Sequence, residues 1–503
     1  MLIGFVILYL LISIGVGMYA ATRVHNSRDY VVAGRHLPIY IVTATVFATW
    51  FGSETVLGIP ATFLKEGLHG IVSDPFGSSM CLILVGLFFA RKLYRMNLLT
   101  ITDYYRKRYG RKVEVITGVA IILSYLGWVS AQMTALGLVF NILSQGVITQ
   151  TQGTLIGAAI VLLYTLYGGM WSVALTDFFQ MTIIIVGLLY ILYVASDMAG
   201  GLGHVVQHAA QKGRFNFWPE ANARDVIAFI AAWITMMFGS IPQQDVFQRV
   251  MSAKSENVAV AGSVLGGSFY FFFAFVPLTI AYSATLIDPN LVSGLLDKDS
   301  QMILPQLILN HMPVFAQIMF FGALLSAIMS TASGTLLAPS VTFSENIIKP
   351  YLPHHNDKTL LLTMRIVVVG FAAIVTLFSL YSDASIYQMV ENAYKVTLVA
   401  AFIPLVAGLY WKRANTQGAL FAIAFGLVSW LLLETLKPDT VWPPQLAGLL
   451  LSAAGMVIGS LLPHFVGRPT PLAPAHAFLH EHAAHPHEGY APPHHHPSAH
   501  GER

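Results

Sequence analysis

The sequence predicts an all-α polytopic membrane protein of about thirteen transmembrane helices, two of which break in mid-membrane. Three observations lead to this fold class. Apolar runs near twenty residues recur along a chain that is 56% hydrophobic and 10% charged, with a mean hydropathy of +0.67. That composition lies outside the soluble range. Basic residues fall between those runs with a strong bias to one side. Two runs, finally, hold glycine and proline at their centres, where each weakens a helix.

The expected spans lie near 2–21, 38–64, 71–90, 114–144, 153–170, 174–196, 225–246, 257–285, 314–346, 361–381, 386–411, 415–435 and 444–464. No basic segment precedes the first, and Arg23, Arg28 and Arg35 follow it, which favours a retained span over a cleaved leader. Cys81 is the single cysteine, so no intrachain disulfide forms. Residues 42–65 are the stretch around which the chain is organised. Gly52, Ser53 and Glu54 interrupt an apolar helix there, and Gly58-Ile59-Pro60 follows one turn later. Backbone groups freed in hydrocarbon must be satisfied by protein, ions or water. A carboxylate at that depth costs ~2.5–3.5 kcal/mol on insertion scales. The break is therefore expected to line a site; the plainer reading is a kink with Glu54 reaching out to the headgroups.

Lysine and arginine placement tests the spans. With the N-terminus outside, 20 of the 27 basic residues fall on the inner side, so the chain is expected to cross the cell membrane N-out and C-in. The loop 91–112 is the basic landmark, read as a topology determinant touching lipid headgroups and too short to bind nucleic acid. Residues 197–224 read as a partly helical cover over the outer face. In the seventh span Phe238-Gly239-Ser240-Ile241-Pro242-Gln243 echoes the first break, five spans later. Paired interrupted spans point to inverted repeats and to a transporter with a midplane site. The organisation that follows is an extra helix and loop in 1–37, five-helix repeats in 38–224 and 225–413, two spans in 414–468, and a His/Pro-rich tail in 469–503. The tail holds nine of the 18 histidines; it is expected to be disordered, and low complexity is preferred over metal binding.

In the ninth span Ala327, Ser330 and Thr331 stand at i, i+3 and i+4, on one helix face. Their hydroxyls, with carbonyls freed by a broken helix, give a small dehydrated cation oxygen ligands without a formal charge. The plainer role of such residues is close helix packing or bonding back to their own helix.

Four strings, ATWFGSETVLGIP, YTLYGGMWSVALTDFFQM, SIPQQDVFQRV and LLSAIMSTASGTLLAPS, occur in that order within 30–415 and resemble the sodium/solute symporter family. The resemblance implies a LeuT-type inverted five-helix repeat and sodium-driven uptake of a small organic solute by alternating access. It implies a Na+ site made by the carbonyls of Ala48 and Phe51 together with Ala327, Ser330 and Thr331. In some members a second sodium uses the Asp of the TD motif, here Asp177, with Ser333; Gly334 stands where that arrangement wants a hydroxyl. Read alone, Asp177 is equally a helix-start carboxylate favoured by the dipole. Within the family the likeness is to the high-affinity choline transporter branch. Trp50 and Trp128 match aromatic positions associated with choline, and Gln243 stands where a third aromatic is expected. The expected substrate-binding residues are Trp50, Glu54, Trp128, Gln132 and Gln243, and an ionised Glu54 favours a substrate bearing positive charge.

Other classes are weighed against this one. A solute sensor on the same fold needs a signalling domain, and the tail of about forty residues is too short for one. Two midplane breaks favour alternating access over an open channel. Proton coupling through Glu54 or Asp177, to an amino acid or a monocarboxylate, stays open. An enzyme is not expected, because no nucleotide loop, intramembrane metal cluster or nucleophile–base pair can be named.

Overall fold

The computed structural model describes residues 1–352, 356–382, 386–437 and 439–464. The expectations attached to the histidine-rich tail lie outside the described residues. Helix follows helix because a backbone in hydrocarbon has to satisfy its own polar groups. The first is α1 (Leu2–Ala21), and α2 (Ile39–Trp50) leads through a wide π-type turn, Glu54–Gly58, into α3 (Ile59–Glu66). Next come α4 (Leu68–Met96), the short α5 (Ile101–Tyr109), α6 (Arg111–Leu143), α7 (Gln150–Leu166) and α8 (Gly169–Met198). After α9 (Leu202–Gln211), the second broken helix is α10 (Ala223–Gly239) with α11 (Gln244–Met251). Beyond it run α12 (Glu256–Ile287), α13 (Val314–Tyr351), α14 (Asp357–Tyr381), α15 (Ile386–Ala400), α16 (Phe402–Tyr410), α17 (Thr416–Leu436) and α18 (Pro444–Leu461).

All thirteen expected positions hold helix. Among the described residues nine helices are long and apolar enough to cross a membrane. Two bent pairs, α10 with α11 at 50° and Ala393–Ala400 with α16 at 40°, raise that to eleven. The remaining positions, 38–64 and 153–170, hold the shorter apolar helices α2 (continued past the break by α3) and α7.

Small residues let these helices approach closely. Gly262 and Gly266 put a GxxxG face of α12 against α2; a Cβ would lie 2.4 Å from Val42 Cγ1 at the first and 2.6 Å from Val46 Cγ1 at the second. The entry of α2 and the exit of α11 are tied by a short parallel bridge, with Leu37 N donating to Ser252 O (3.1 Å) and Lys254 N to Leu37 O (2.9 Å). The two broken helices are thus anchored side by side at the end bearing the basic loop.

That loop also packs into the bundle. Half of it is helix α5, started by a capping box of Thr100 and Asp103. Tyr105 OH donates to Ala401 O (2.7 Å), Tyr109 OH to Pro404 O (2.7 Å) and the buried Arg108 to Gly408 O (3.2 Å) and Ala414 O (2.6 Å). The physical reason for the Arg108 contacts lies at the C-terminal end of α16, where carbonyls such as that of Gly408 have no helical N–H left to pair with. On the opposite end, 197–224 is partly helical as expected: α9 docks on α12 through His208 Nδ1 and Tyr282 OH, 2.7 Å apart.

Candidate functional site

The site begins with the way α2 ends. Gly52 N–H turns back to Trp50 O (2.9 Å), and Ser53 N–H donates across to Gln132 Oε1 on α6 (3.0 Å). Phe51, at φ −80° and ψ 79°, is the first residue out of the helix. The Ala48 carbonyl, whose helical partner would be Gly52 N–H, accepts instead from Thr331 Oγ1 on α13 (3.2 Å). Only glycine permits this approach, because a Cβ on residue 52 would stand 2.6 Å from Thr331 Oγ1. Beside it Ser330 Oγ donates to Ala327 O (3.1 Å).

Four of the five residues expected at the sodium site, Ala48, Ala327, Ser330 and Thr331, are therefore gathered by these contacts, and Phe51 stands at the turn beside them. All five are fully buried. The donor set is carbonyl and hydroxyl oxygen only, which fits a small monovalent cation; carbonyls of unwound helix are how broken-helix carriers hold sodium. Ser330 also shows the plainer role, bonding back to its own helix, whereas Thr331 reaches across to α2.

The expected substrate residues meet one turn further on. Trp50 stacks on Trp128 (centroids 5.2 Å, 25°), and Tyr394 of α15 stands edge-on to both, at 5.8 Å and 5.5 Å. Gln132 joins the break to Glu54: it accepts from Ser53 N–H and donates to Glu54 Oε2 (2.9 Å). Glu54 is buried, so it does not reach out to the headgroups. Four buried atoms here, Glu54 Oε1, Trp50 Nε1, Trp128 Nε1 and Tyr394 OH, have no hydrogen-bond partner among the described residues. Buried polar groups are nearly always paired, so these atoms are candidates for contact with a bound molecule. Gln243 lies one turn away on the second broken helix. Its amide is taken up by Ser124 on α6 and Thr397 on α15, both at 3.2 Å, one turn from Trp128 and Tyr394, so it braces the aromatic walls. At the end away from α5 a pocket of about 450 Å³ is lined by Gly58, Thr62, Lys65, Ser73, Phe229 and Gln301.

Asp177 lies two turns inside α8, which starts at Gly169, so the helix-start reading falls. Its Oδ2 accepts from Thr45 Oγ1 (2.6 Å) and from Arg249 Nη2 (3.5 Å). Ser333 Oγ donates to Ser330 O (3.1 Å), one contact from the first expected site, whereas Asp177 is linked to Ser330 through Arg249. Sequence reasoning missed Tyr394, Thr45 and Arg249 as members of this region. Arg249 was visible only as a basic residue beside an apolar span.

A model of the sodium:solute symporter family matches residues 30–426. The human high affinity choline transporter 1 is 29% identical over 443 residues, covering 85% of this chain and 75% of that one. The Escherichia coli (strain K12) sodium/pantothenate symporter is 25% identical over 475 residues, covering 90% and 94%. Among solved structures, a Na+-coupled sialic acid symporter in a substrate-bound outward-open state superposes with a TM-score of 0.80 at 17% identity, covering 94% of this chain and 99% of that one. The fold is the LeuT-type fold of such symporters, and the matched relatives are transporters rather than enzymes. This multi-pass membrane protein belongs to the sodium:solute symporter family.

Proposed function

We propose that the protein uses the inward sodium gradient to import a small organic amine, cationic or zwitterionic, with choline as the type, by alternating access. The observation that supports the substrate class is the buried Glu54 carboxylate, with one oxygen unpartnered beside the Trp50, Trp128 and Tyr394 rings. A carboxylate beside aromatic rings suits an ammonium group, and each ring whose face turns to that group adds ~0.5–2 kcal/mol. Tyr394 supplies from α15 the third aromatic that Gln243 does not supply from the second broken helix. The name of the human relative points to the same chemistry.

Coupling follows from position. A Cβ on Gly52 would meet Thr331 Oγ1 at 2.6 Å and Glu54 Oε2 at 2.8 Å, so the proposed sodium ligand and the proposed substrate carboxylate border the same turn. An ion that fixes this turn also fixes Glu54. The two repeats are 38–224 and 225–413. Across them α2 is tied to α11 and α12, and the three move as one bundle against the remaining helices about this site, with the N-terminus outside and the basic end facing the cytoplasm.

The test is uptake of radiolabelled choline into proteoliposomes under an inward gradient of sodium, of potassium, or of protons. Accumulation is expected with sodium alone, and competition by betaines and amino acids then maps the substrate class. Accumulation driven by protons without sodium would put proton coupling in place of sodium coupling. Uptake restricted to sugars or monocarboxylates would overturn the amine pocket.

A further inference from the structure

Arg249 is among the largest fully buried side chains of the protein. It projects from α11, the second half of the second broken helix, into the space between α2, α8 and α13. Its Nε donates to Thr45 Oγ1 (3.3 Å), and its Nη2 donates to Ser330 O (3.3 Å) and approaches Asp177 Oδ2 at 3.5 Å. Its Nη1 lies 3.7 Å from Asp245 Oδ2. Room for the guanidinium comes from one residue. A Cβ on Gly334 would stand 2.2 Å from Arg249 Nη2 and 2.7 Å from its Cζ, so any side chain there collides with the charge itself.

We propose that the Arg249 guanidinium is the resident cation of the Asp177 pocket, seated in the space Gly334 leaves open, and that the protein therefore binds a single sodium, at the Ala48–Thr331 site. Asp177 Oδ1 is buried without a hydrogen-bond partner among the described residues, but the residues around it do not suit a second sodium at Asp177 and Ser333. The carboxylate already has a buried counter-charge, a hydroxyl is missing at residue 334, and the guanidinium fills its place. A second monovalent cation would sit against a full positive charge in a medium where like charges repel strongly. The same guanidinium touches Ser330 O, so the second broken helix contacts the sodium-bearing face of α13 directly.

This inference rests on the sodium reading given above, and sodium alone is the probe that separates the two. Bound 22Na+ is counted on the purified full-length protein by equilibrium dialysis, for wild type, Thr331→Ala, Arg249→Gln and Gly334→Ser, with monodisperse elution as the check on folding. The wild type is expected to bind one sodium per chain with a Hill coefficient of one, and Thr331→Ala to need about tenfold or more sodium for half-saturation. Arg249→Gln strips Asp177 of its counter-charge, and Gly334→Ser displaces the guanidinium while keeping it. Either is expected to raise the count to two, and adding Asp177→Asn to return it to one. Two sodiums in the wild type, one of them lost in Asp177→Asn, would overturn the proposal, as would a count of one in both Arg249→Gln and Gly334→Ser. A wild type that binds no sodium would remove the sodium reading itself, and this inference with it.

Discussion

Thr331→Ala is expected to raise the sodium concentration that half-saturates the protein by about tenfold or more. The hydroxyl is the group that bridges α13 to the freed Ala48 carbonyl (3.2 Å), at the point where Gly52 brings the broken helix within contact. A polar interaction with a charged group contributes about 1.5–3 kcal/mol, and each 1.4 kcal/mol is about a factor of ten in affinity. Because Trp50 directly precedes the break, intrinsic tryptophan fluorescence during a sodium titration is a convenient readout. Thr331→Ser keeps the hydroxyl and is expected to stay close to wild type, which separates loss of a ligand from loss of packing. Ser330→Ala is expected to shift the curve in the same direction. Unchanged half-saturation in both alanine variants would take these hydroxyls out of the site.

Glu54→Gln is expected to weaken binding of a cationic amine by at least about tenfold, the scale of a lost charge-assisted interaction, while leaving neutral solutes unaffected. The carboxylate is held on one side only: Gln132 donates to Oε2 at 2.9 Å, and Oε1 is buried without a partner. An amide in its place presents a donor to Gln132 or to the substrate, and in neither orientation does it restore the negative charge. Calorimetric titration with choline in saturating sodium measures the loss. Trp128→Ala opens the aromatic wall on the same side and is expected to reduce affinity for ammonium compounds over isosteric neutral alcohols. Equal affinity for choline in Glu54→Gln and wild type would rule out a cation pocket at Glu54.

What the sequence showed of this site was what leaves a local trace. The breaks were legible because Gly52, Gly58 and Pro60, and again Gly239 and Pro242, are poor helix residues set inside apolar runs. The cation face was legible because Ala327, Ser330 and Thr331 keep helical spacing, and resemblance then paired it with Ala48 and Phe51. Contacts between distant helices left no such trace. Arg249 is 72 residues from Asp177 and 204 from Thr45, and no periodicity links them. Tyr394 looks like any aromatic in an apolar span until α15 is seen against α6. Gln243 has the composition of a ligand-binding amide, and only Ser124 and Thr397 show that its hydrogen bonds are spent on neighbours. In the loop 91–112 the count of charges gave no sign that Tyr105, Arg108 and Tyr109 bond to carbonyls about 300 residues away.

Thermal stability of the purified protein, measured in sodium and in potassium across choline, betaines, amino acids, monocarboxylates and sugars, tests coupled binding most directly. A ligand that binds the folded state raises stability by mass action, and two ligands that favour one conformation tighten each other reciprocally. The expected result is a rise in Tm with sodium over potassium, a further rise with an ammonium compound, and a lower half-saturating concentration of that compound in sodium. The same shifts in potassium as in sodium would contradict sodium-coupled binding at the break.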